Sequence, residues 1–201
     1  MDILRYIVTA ITGYIMGSVS FSILISKLFH KTDIRDCGSG NAGATNMARA
    51  YGLSAGLNTM IGDMFKTGLA ILNGYFILGR IGICIAALFC LLGHCFPVFY
   101  DFRGGKGVSA GAVIAFAISS LLLLIILAVF LIVAFATKKV SAGSLAAALS
   151  MPLAAFFLHC GTDYFVLSAI VAVIIIIRHR ANIQRLINGT EPDFSVPSTK
   201  N

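Results

Sequence analysis

The chain has 201 residues, 58% of them hydrophobic and 11% charged, where soluble domains carry about 45–50% apolar and about 25% charged residues. This composition, with a mean hydropathy of +0.93, excludes an ordinary soluble domain and predicts one membrane-embedded domain over residues 1–201. The net charge of +7 does not call for nucleic acid as a partner, because basic residues collect on the cytoplasmic side of membrane proteins.

The first apolar run, residues 5–26, lacks a small-residue cleavage site and leads straight into a basic stretch that includes Lys27, Lys31 and Arg35. It reads as a transmembrane helix and not as a signal peptide. Residues 33–52 follow as a polar, glycine-rich segment between two lipid-like runs. Gly38, Gly40, Gly43 and Gly52 free the backbone to turn its N–H groups into one concavity. Ser39, Asn41, Thr45 and Asn46 add neutral hydrogen-bonding groups, and Arg35 and Arg49 add charge suited to phosphate oxygens. A solvated connector is the bland alternative for such a segment taken alone.

The second expected span, residues 53–78, is interrupted by Asn58, Asp63 and Lys66, and an ionised group inside a membrane costs on the order of a few kcal/mol. These residues should face the protein interior. Asp63 and Lys66, three apart, either neutralise one another or serve a substrate, or Asp63 orients a site arginine. The third span, residues 81–99, carries His94, read as a satisfied buried histidine. Next comes Arg103-Gly104-Gly105-Lys106-Gly107, three glycines around a lysine at a helix start, where N–H groups and the helix dipole favour an anion. It is not a Walker A loop, since Gly107 stands where Ser or Thr would follow the lysine.

The long apolar run of residues 108–137 decides the topology. Crossing once would split the basic loops between the two sides of the membrane. Turning back near Ser119 and Ser120 puts Lys27, Lys31, Arg35, Arg49, Arg103, Lys106, Lys138, Lys139, Arg178, Arg180, Arg185 and Lys200 on one face, against Arg5 and Arg80. The positive-inside rule favours the second arrangement. The expected architecture is therefore all-α, with seven transmembrane helices at 5–26, 53–78, 81–99, 107–120, 121–137, 142–158 and 163–179, the N-terminus outside and the C-terminus cytoplasmic. Two passes within residues 108–137 would each be about 22 Å long, short of a core about 30 Å thick, so they are expected to be buried, tilted or partly re-entrant.

Beyond the last span, Arg178 and Arg180 suit membrane anchoring, whereas His179 and Asn182 share a helical face and can bond a hydroxyl or a phosphate oxygen. His159 is expected on the outer surface. The polar stretch of residues 188–201, with Pro192 and Pro197, is expected to be mobile at its end. The five cysteines show no C-x-x-C pair and read as packing residues, and the four histidines lack zinc-ligand spacing, so no metal or other cofactor is expected.

Taken in order, the polar motifs resemble those of the bacterial membrane acylphosphate:glycerol-3-phosphate acyltransferases, the PlsY family. The resemblance rests on Asp33-Ile-Arg-x-x-Gly-Ser-Gly-Asn-Ala-Gly-Ala-Thr-Asn, on Gly93-His-Cys-Phe-Pro-Val-Phe with Arg103-Gly-Gly-Lys-Gly-Val, and on Arg178-His-Arg-x-Asn-Ile-x-Arg-Leu-x-x-Gly-x-Glu ending at Glu191. Arg103 stands where the family often has lysine, and Ser109 where it often has alanine. The resemblance implies transfer of a fatty acyl group from acyl phosphate to the 1-hydroxyl of glycerol 3-phosphate. The products would be lysophosphatidate and phosphate, in the first acylation of phospholipid synthesis. It also implies seven helices, a cytoplasmic site in the bacterial inner membrane, and a functional link to an enzyme that makes acyl phosphate; a monomer is the expected unit. Acyltransferases that use His-x-x-x-x-Asp fit poorly, because Arg35, Phe99, Tyr164 and Gln184 stand fifth after the four histidines.

The family's site carries over to Ser39, Asn41, Thr45, Asn46, Arg49, Lys106, His179, Asn182, Arg185 and Glu191. The expected catalytic residues are Ser39, Arg49, Lys106, His179 and Asn182. Gly38, Gly40, Asn41, Gly43, Thr45, Asn46, Asp63, Gly104, Gly105, Gly107, Arg185 and Glu191 are expected to bind substrate. Arg49, Lys106 and Arg185 would offset repulsion between two phosphates, and the base is either His179 or an oxygen of the acyl phosphate. A small transporter is the competing class. It would need polar groups through the midplane and on the outer side, whereas here they crowd one face.

Overall fold

The structure is a computed structural model and describes residues 2–194. Residues 195–201, including Pro197 and the expected mobile end of the tail, lie outside the described residues. The elements are helical: α1 (Asp2–Ser18), α2 (Phe21–His30), α3 (Ala44–Tyr51), α4 (Leu53–Cys95), α5 (Val108–Ile118), α6 (Ser120–Thr137), α7 (Val140–Phe157), α8 (Thr162–Arg178) and α9 (Arg180–Ile187), with 3-10 turns at Ile34–Asp36 and Val98–Tyr100.

The expected seven-helix arrangement is corrected. Among the described residues, four helical stretches are long and apolar enough to cross a membrane: Ile3–His30, Leu53–Tyr100, Ser120–Thr137 and Val140–Phe157. A fifth is added if α8 and α9, bent by 62° at His179, count as one span. Three local features explain the difference. The second and third expected spans lie within α4, where Gly79 (φ 59°, ψ −138°) leaves helical geometry without a polar loop. The fourth shrinks to the 11 residues of α5, about 16 Å of helix and too short for a core about 30 Å thick. The seventh is the 17-residue α8, which counts as a crossing only together with α9. The fold assigns neither terminus to a side of the membrane.

Glycine makes the reversal of α4 possible twice over. A left-handed φ at Gly79 suits a residue without Cβ, and a Cβ at Gly74 or Gly82 would collide with the other's backbone, so the two arms pack in direct contact. α1 lies along the second arm by the same device. Gly13 and Gly17 face the backbones of Ala86 and Cys90, and Gly93 faces that of Tyr14. Small residues spaced by four let helix backbones approach in a membrane, where packing replaces the hydrophobic effect as the driving force.

The larger apolar core joins α4, α5, α7 and α8 around Leu91, Ile114, Met151 and Val171. A smaller one, around Ile23, Ile34 and Met47, sits beneath the loop of residues 33–43. α6 turns Leu121, Leu124, Leu131, Ile132 and Phe135 outward, as a helix against lipid tails should. α5 and α6 make a hairpin through extended Ser119 (φ −163°, ψ 134°). The start of the hairpin at Lys106–Val108 and the start of α7 at Val140 border one chamber.

Candidate active site

The chamber has a volume of about 500 Å³ and is bordered by the loop of residues 33–43, α3, α4, the loop before α5, the start of α7, and α9 with the residues after it. The three polar motifs of the sequence are thus brought together, the first and third from parts of the chain more than a hundred residues apart.

Asn46 shapes the first wall. Its Nδ2 donates to the carbonyls of Ile34 (3.3 Å), Cys37 (2.9 Å) and Asn41 (3.1 Å), and its Oδ1 accepts from the N–H of Ser39 at 2.9 Å. Both ends of the amide are therefore engaged in folding the loop, which departs from the expected substrate contact. Gly38 (φ 55°) takes the left-handed backbone needed here, and a Cβ on it would collide with Asn46 Oδ1. Arg35 is likewise engaged by the protein. It donates to both carboxylate oxygens of Asp33 and to the Tyr100 carbonyl, and these bonds pull Asp33 down to about 2. Ser39, Asn41, Gly43 and Thr45 border the chamber, and among the described residues the side chains of Ser39, Asn41 and Thr45 are in no hydrogen bond. Gly40 (φ 69°) turns the loop without bordering the chamber.

The glycine–lysine loop works differently from the expected N–H cradle. The Gly104 and Gly105 amides donate to the Cys95 and His94 carbonyls at 3.3 and 3.0 Å, which closes the end of α4. Their own carbonyls accept from Arg178, so that arginine ties α8 to the loop beyond any anchoring of the helix in lipid. Gly107 (φ 83°) starts α5 and borders the chamber. What the loop presents is the Lys106 ammonium.

Lys106 Nζ donates to Asn182 Oδ1 at 2.6 Å, and Asn182 Nδ2 donates to Glu191 Oε1 at 2.7 Å. Ser141 donates to the same oxygen at 2.6 Å, and Arg185 Nε donates to Oε2 at 2.7 Å. Glu191, 5% exposed, is therefore the organiser of this wall and not an open substrate ligand. Burial opposes its charge, but the bonds from Ser141, Asn182 and Arg185 outweigh that and hold its carboxyl below the usual range. Lys106 is pushed down to about 8, first by burial and then by the nearby arginines, with Glu191 opposing the shift.

His179 is capped onto the end of α8. Its Nδ1 lies 2.8 Å from the Ile175 carbonyl, which can only accept, so Nδ1 carries a proton and Nε2 is the free position. Arg49 reaches the Pro192 and Asp193 carbonyls through Nη2, while among the described residues its Nε is enclosed without a partner. Asp63 and His94 border the chamber from α4. Ser141, Ser144 and Met60, also at its edge, were missed by sequence reading. The apolar face of α7 concealed the serines, although their spacing of three places them on one helical face.

A second groove, about 580 Å³, shares Ala44, Thr45, Met60, Phe130 and Val140 with the chamber and continues between Leu53, Leu57, Leu131 and Phe135. A charged, hydrogen-bonding compartment thus adjoins an apolar trough on the lipid side.

Comparison with known proteins points to one family. A family model described as glycerol-3-phosphate acyltransferase matches residues 7–189. A glycerol-3-phosphate acyltransferase of Finegoldia magna is 40% identical over 193 residues, covering 95% of this chain and 97% of its own. One from Bacillus subtilis is 37% identical over 182 residues, covering 90% and 94%. Two crystal structures of PlsY, an integral membrane glycerol 3-phosphate acyltransferase, share 33% identity with it. The glycerol 3-phosphate form has a TM-score of 0.89 and covers 94% of this chain and 96% of its own. The lysophosphatidic acid form has 0.87, with 94% and 95% covered.

Proposed function

The chain belongs to the glycerol-3-phosphate acyltransferase family and is an acyltransferase of the PlsY type, and on that premise we propose how its residues divide the work. The reaction moves a fatty acyl group from acyl phosphate to glycerol 3-phosphate, giving lysophosphatidate and phosphate. The observation that carries the assignment of roles is the junction of the Lys106–Asn182–Glu191–Arg185 chain with the apolar groove. Such a junction suits a donor with an anionic head and a long tail beside an anionic, hydroxyl-bearing acceptor.

Lys106, Arg49 and Arg185 form a cationic clamp that offsets repulsion between the two phosphates. Ser39, Asn41 and Thr45 hold the acyl phosphate and steady negative charge growing on its carbonyl oxygen, while Asn182 orients glycerol 3-phosphate. Asn46, Gly38 and Glu191 act by holding these groups in place, and the tail follows the groove past Met60 and Phe130. The acceptor oxygen attacks the acyl carbon, the bond from that carbon to the phosphate oxygen breaks, and phosphate leaves with the electron pair. The hydroxyl proton passes to a phosphate oxygen of the donor, an already activated mixed anhydride, with His179 positioning the acceptor.

The site works from the cytoplasmic side of a bacterial inner membrane. Support comes from the basic residues: Lys106, Lys139, Arg49, Arg178 and Arg185 gather at the chamber end, while Arg80 pairs with Asp163 away from it. The donor comes from an enzyme that forms acyl phosphate, and one chain suffices as the working unit, since one chain supplies every group named above. Purified protein given acyl phosphate and glycerol 3-phosphate, without coenzyme A or acyl carrier protein, should release phosphate only when the acceptor is present. Acceptor-independent release, or none, would overturn this reading.

A further inference from the structure

We propose that Asp63 and His94 are acceptor-binding residues that grip the hydroxyl of glycerol 3-phosphate that is not acylated, its 2-hydroxyl. The inference rests on the acyl-transfer reading above and adds a source of acceptor specificity to it.

The pair belongs to a buried cluster in α4. Lys66 donates to the carbonyls of Gly17 and Val19, exposed by the break between α1 and α2. Its Nζ also lies 2.9 Å from Asp63 Oδ1 and 3.2 Å from His94 Nδ1. An ammonium can only donate, so Nδ1 of His94 accepts and the ring proton sits on Nε2. Among the described residues that Nε2–H has no acceptor. It lies against Gly105, where a Cβ would collide with Nε2. Lys66 thus sets the histidine tautomer and offsets the aspartate charge.

Asp63 is 2% exposed and His94 6%, yet both border the chamber. Asp63 Oδ1 is enclosed, 2.9 Å from Lys66 Nζ and 3.6 Å from His94 Nδ1, while its Oδ2 accepts no hydrogen bond among the described residues. Buried polar groups left unpaired in this way are expensive unless a ligand completes them. A donor beside a carboxylate acceptor selects for a group that can both accept and donate. A hydroxyl does both, whereas a phosphate would bring like charge against Asp63 and an acyl chain offers neither function. Of the two acceptor hydroxyls, the reacting one must reach the acyl carbon held by Ser39, Arg49 and Lys106. The other is left for Asp63 and His94.

The test compares kcat/KM for glycerol 3-phosphate with that for 3-hydroxypropyl phosphate, which keeps the primary alcohol and the phosphate and lacks the 2-hydroxyl. A site built to bond a hydroxyl discriminates strongly against the analogue without it; the wild type should prefer glycerol 3-phosphate by about tenfold or more. His94→Phe and Asp63→Asn should each reduce that preference at least several-fold, and His94→Gln, which retains an N–H donor, should recover part of it. No preference in the wild type, or equal losses on both acceptors in the variants, would overturn the proposal and leave the cluster purely structural. If His94→Phe does not fold, the wild-type ratio and Asp63→Asn decide. A wild type that transfers no acyl group to either acceptor would instead reject the acyl-transfer reading.

Discussion

Lys106 and Asn182, 76 positions apart, meet at 2.6 Å, and the ammonium so held is pushed down to about 8. A cation placed for electrostatic stabilisation is thus buried deeply enough to titrate near the working range of the protein.

Substituting Lys106 by Met should lower kcat/KM by about 10²–10³, the usual effect of removing one preorganised stabilising group. In the wild type kcat/KM should fall as pH rises through about 8, where free Lys106 loses its proton. Lys106→Arg should keep part of the activity and lose that alkaline limb, since a guanidinium does not titrate there. Steady-state rates from about pH 6 to 10 check both. An alkaline limb unchanged in Lys106→Arg would assign it to another group.

The same shift has a consequence of opposite sign for folding. Between about 8 and the ordinary lysine value of 10.5, the unfolded chain holds a proton that the folded site has released. Stability from this group therefore rises with pH across that window. Thermal unfolding in detergent should show Lys106→Met gaining relative to wild type near neutrality, with the gap closing at high pH.

Glu191→Gln should destabilise the protein by about 1–3 kcal/mol, because Arg185 loses a charged partner and the Lys106–Asn182 link loses its anchor. Glu191 has its pKa depressed in the folded state. Its contribution is present above the ordinary carboxylate range and is lost as pH falls through the lowered value. Melting temperatures of wild type and variant should converge in acid. A constant gap would mean that the carboxylate charge is not what matters.

His179→Ala should lower kcat while leaving the neutral part of the pH–rate profile in place, as expected of a positioning group whose Nδ1 is committed to Ile175. A limb near neutrality that disappears in the variant would identify His179 as the base.

Phosphate-compatible residues were legible in the sequence because their chemistry is unusual beside lipid-like runs: Arg49, Lys106, Asn182 and Arg185 all reach the chamber. What the sequence could not show was which polar groups the protein consumes internally. Asn46 and Ser39 look alike as hydrogen-bonding residues in a glycine-rich loop, yet Asn46 spends both ends of its amide on that loop. Gly104 and Gly105 looked like an anion cradle until the end of α4 supplied carbonyls for their N–H groups. The helix count comes out too high when each apolar run is read as a full span. Residues 53–78 and 81–99 lie in one helical stretch bent only at Gly79, and the turn expected near Ser119 and Ser120 leaves α5 with 11 residues, too few to cross. His94 is buried as expected, but its partner Lys66, on the other arm of α4 and 28 residues away, could not be named from the sequence.

Glu191 follows every apolar helix in the chain, and Ser141, Asn182 and Arg185 all converge on its carboxylate. During synthesis, then, the loop of residues 33–43, the Lys106 turn and α9 can each be in place while their shared wall is still unclosed. A partly made chain in the membrane would carry the phosphate-seeking groups without the carboxylate that spaces them. The wall therefore closes only once Glu191 has been added, so the last turn of the site is set by a residue beyond α9.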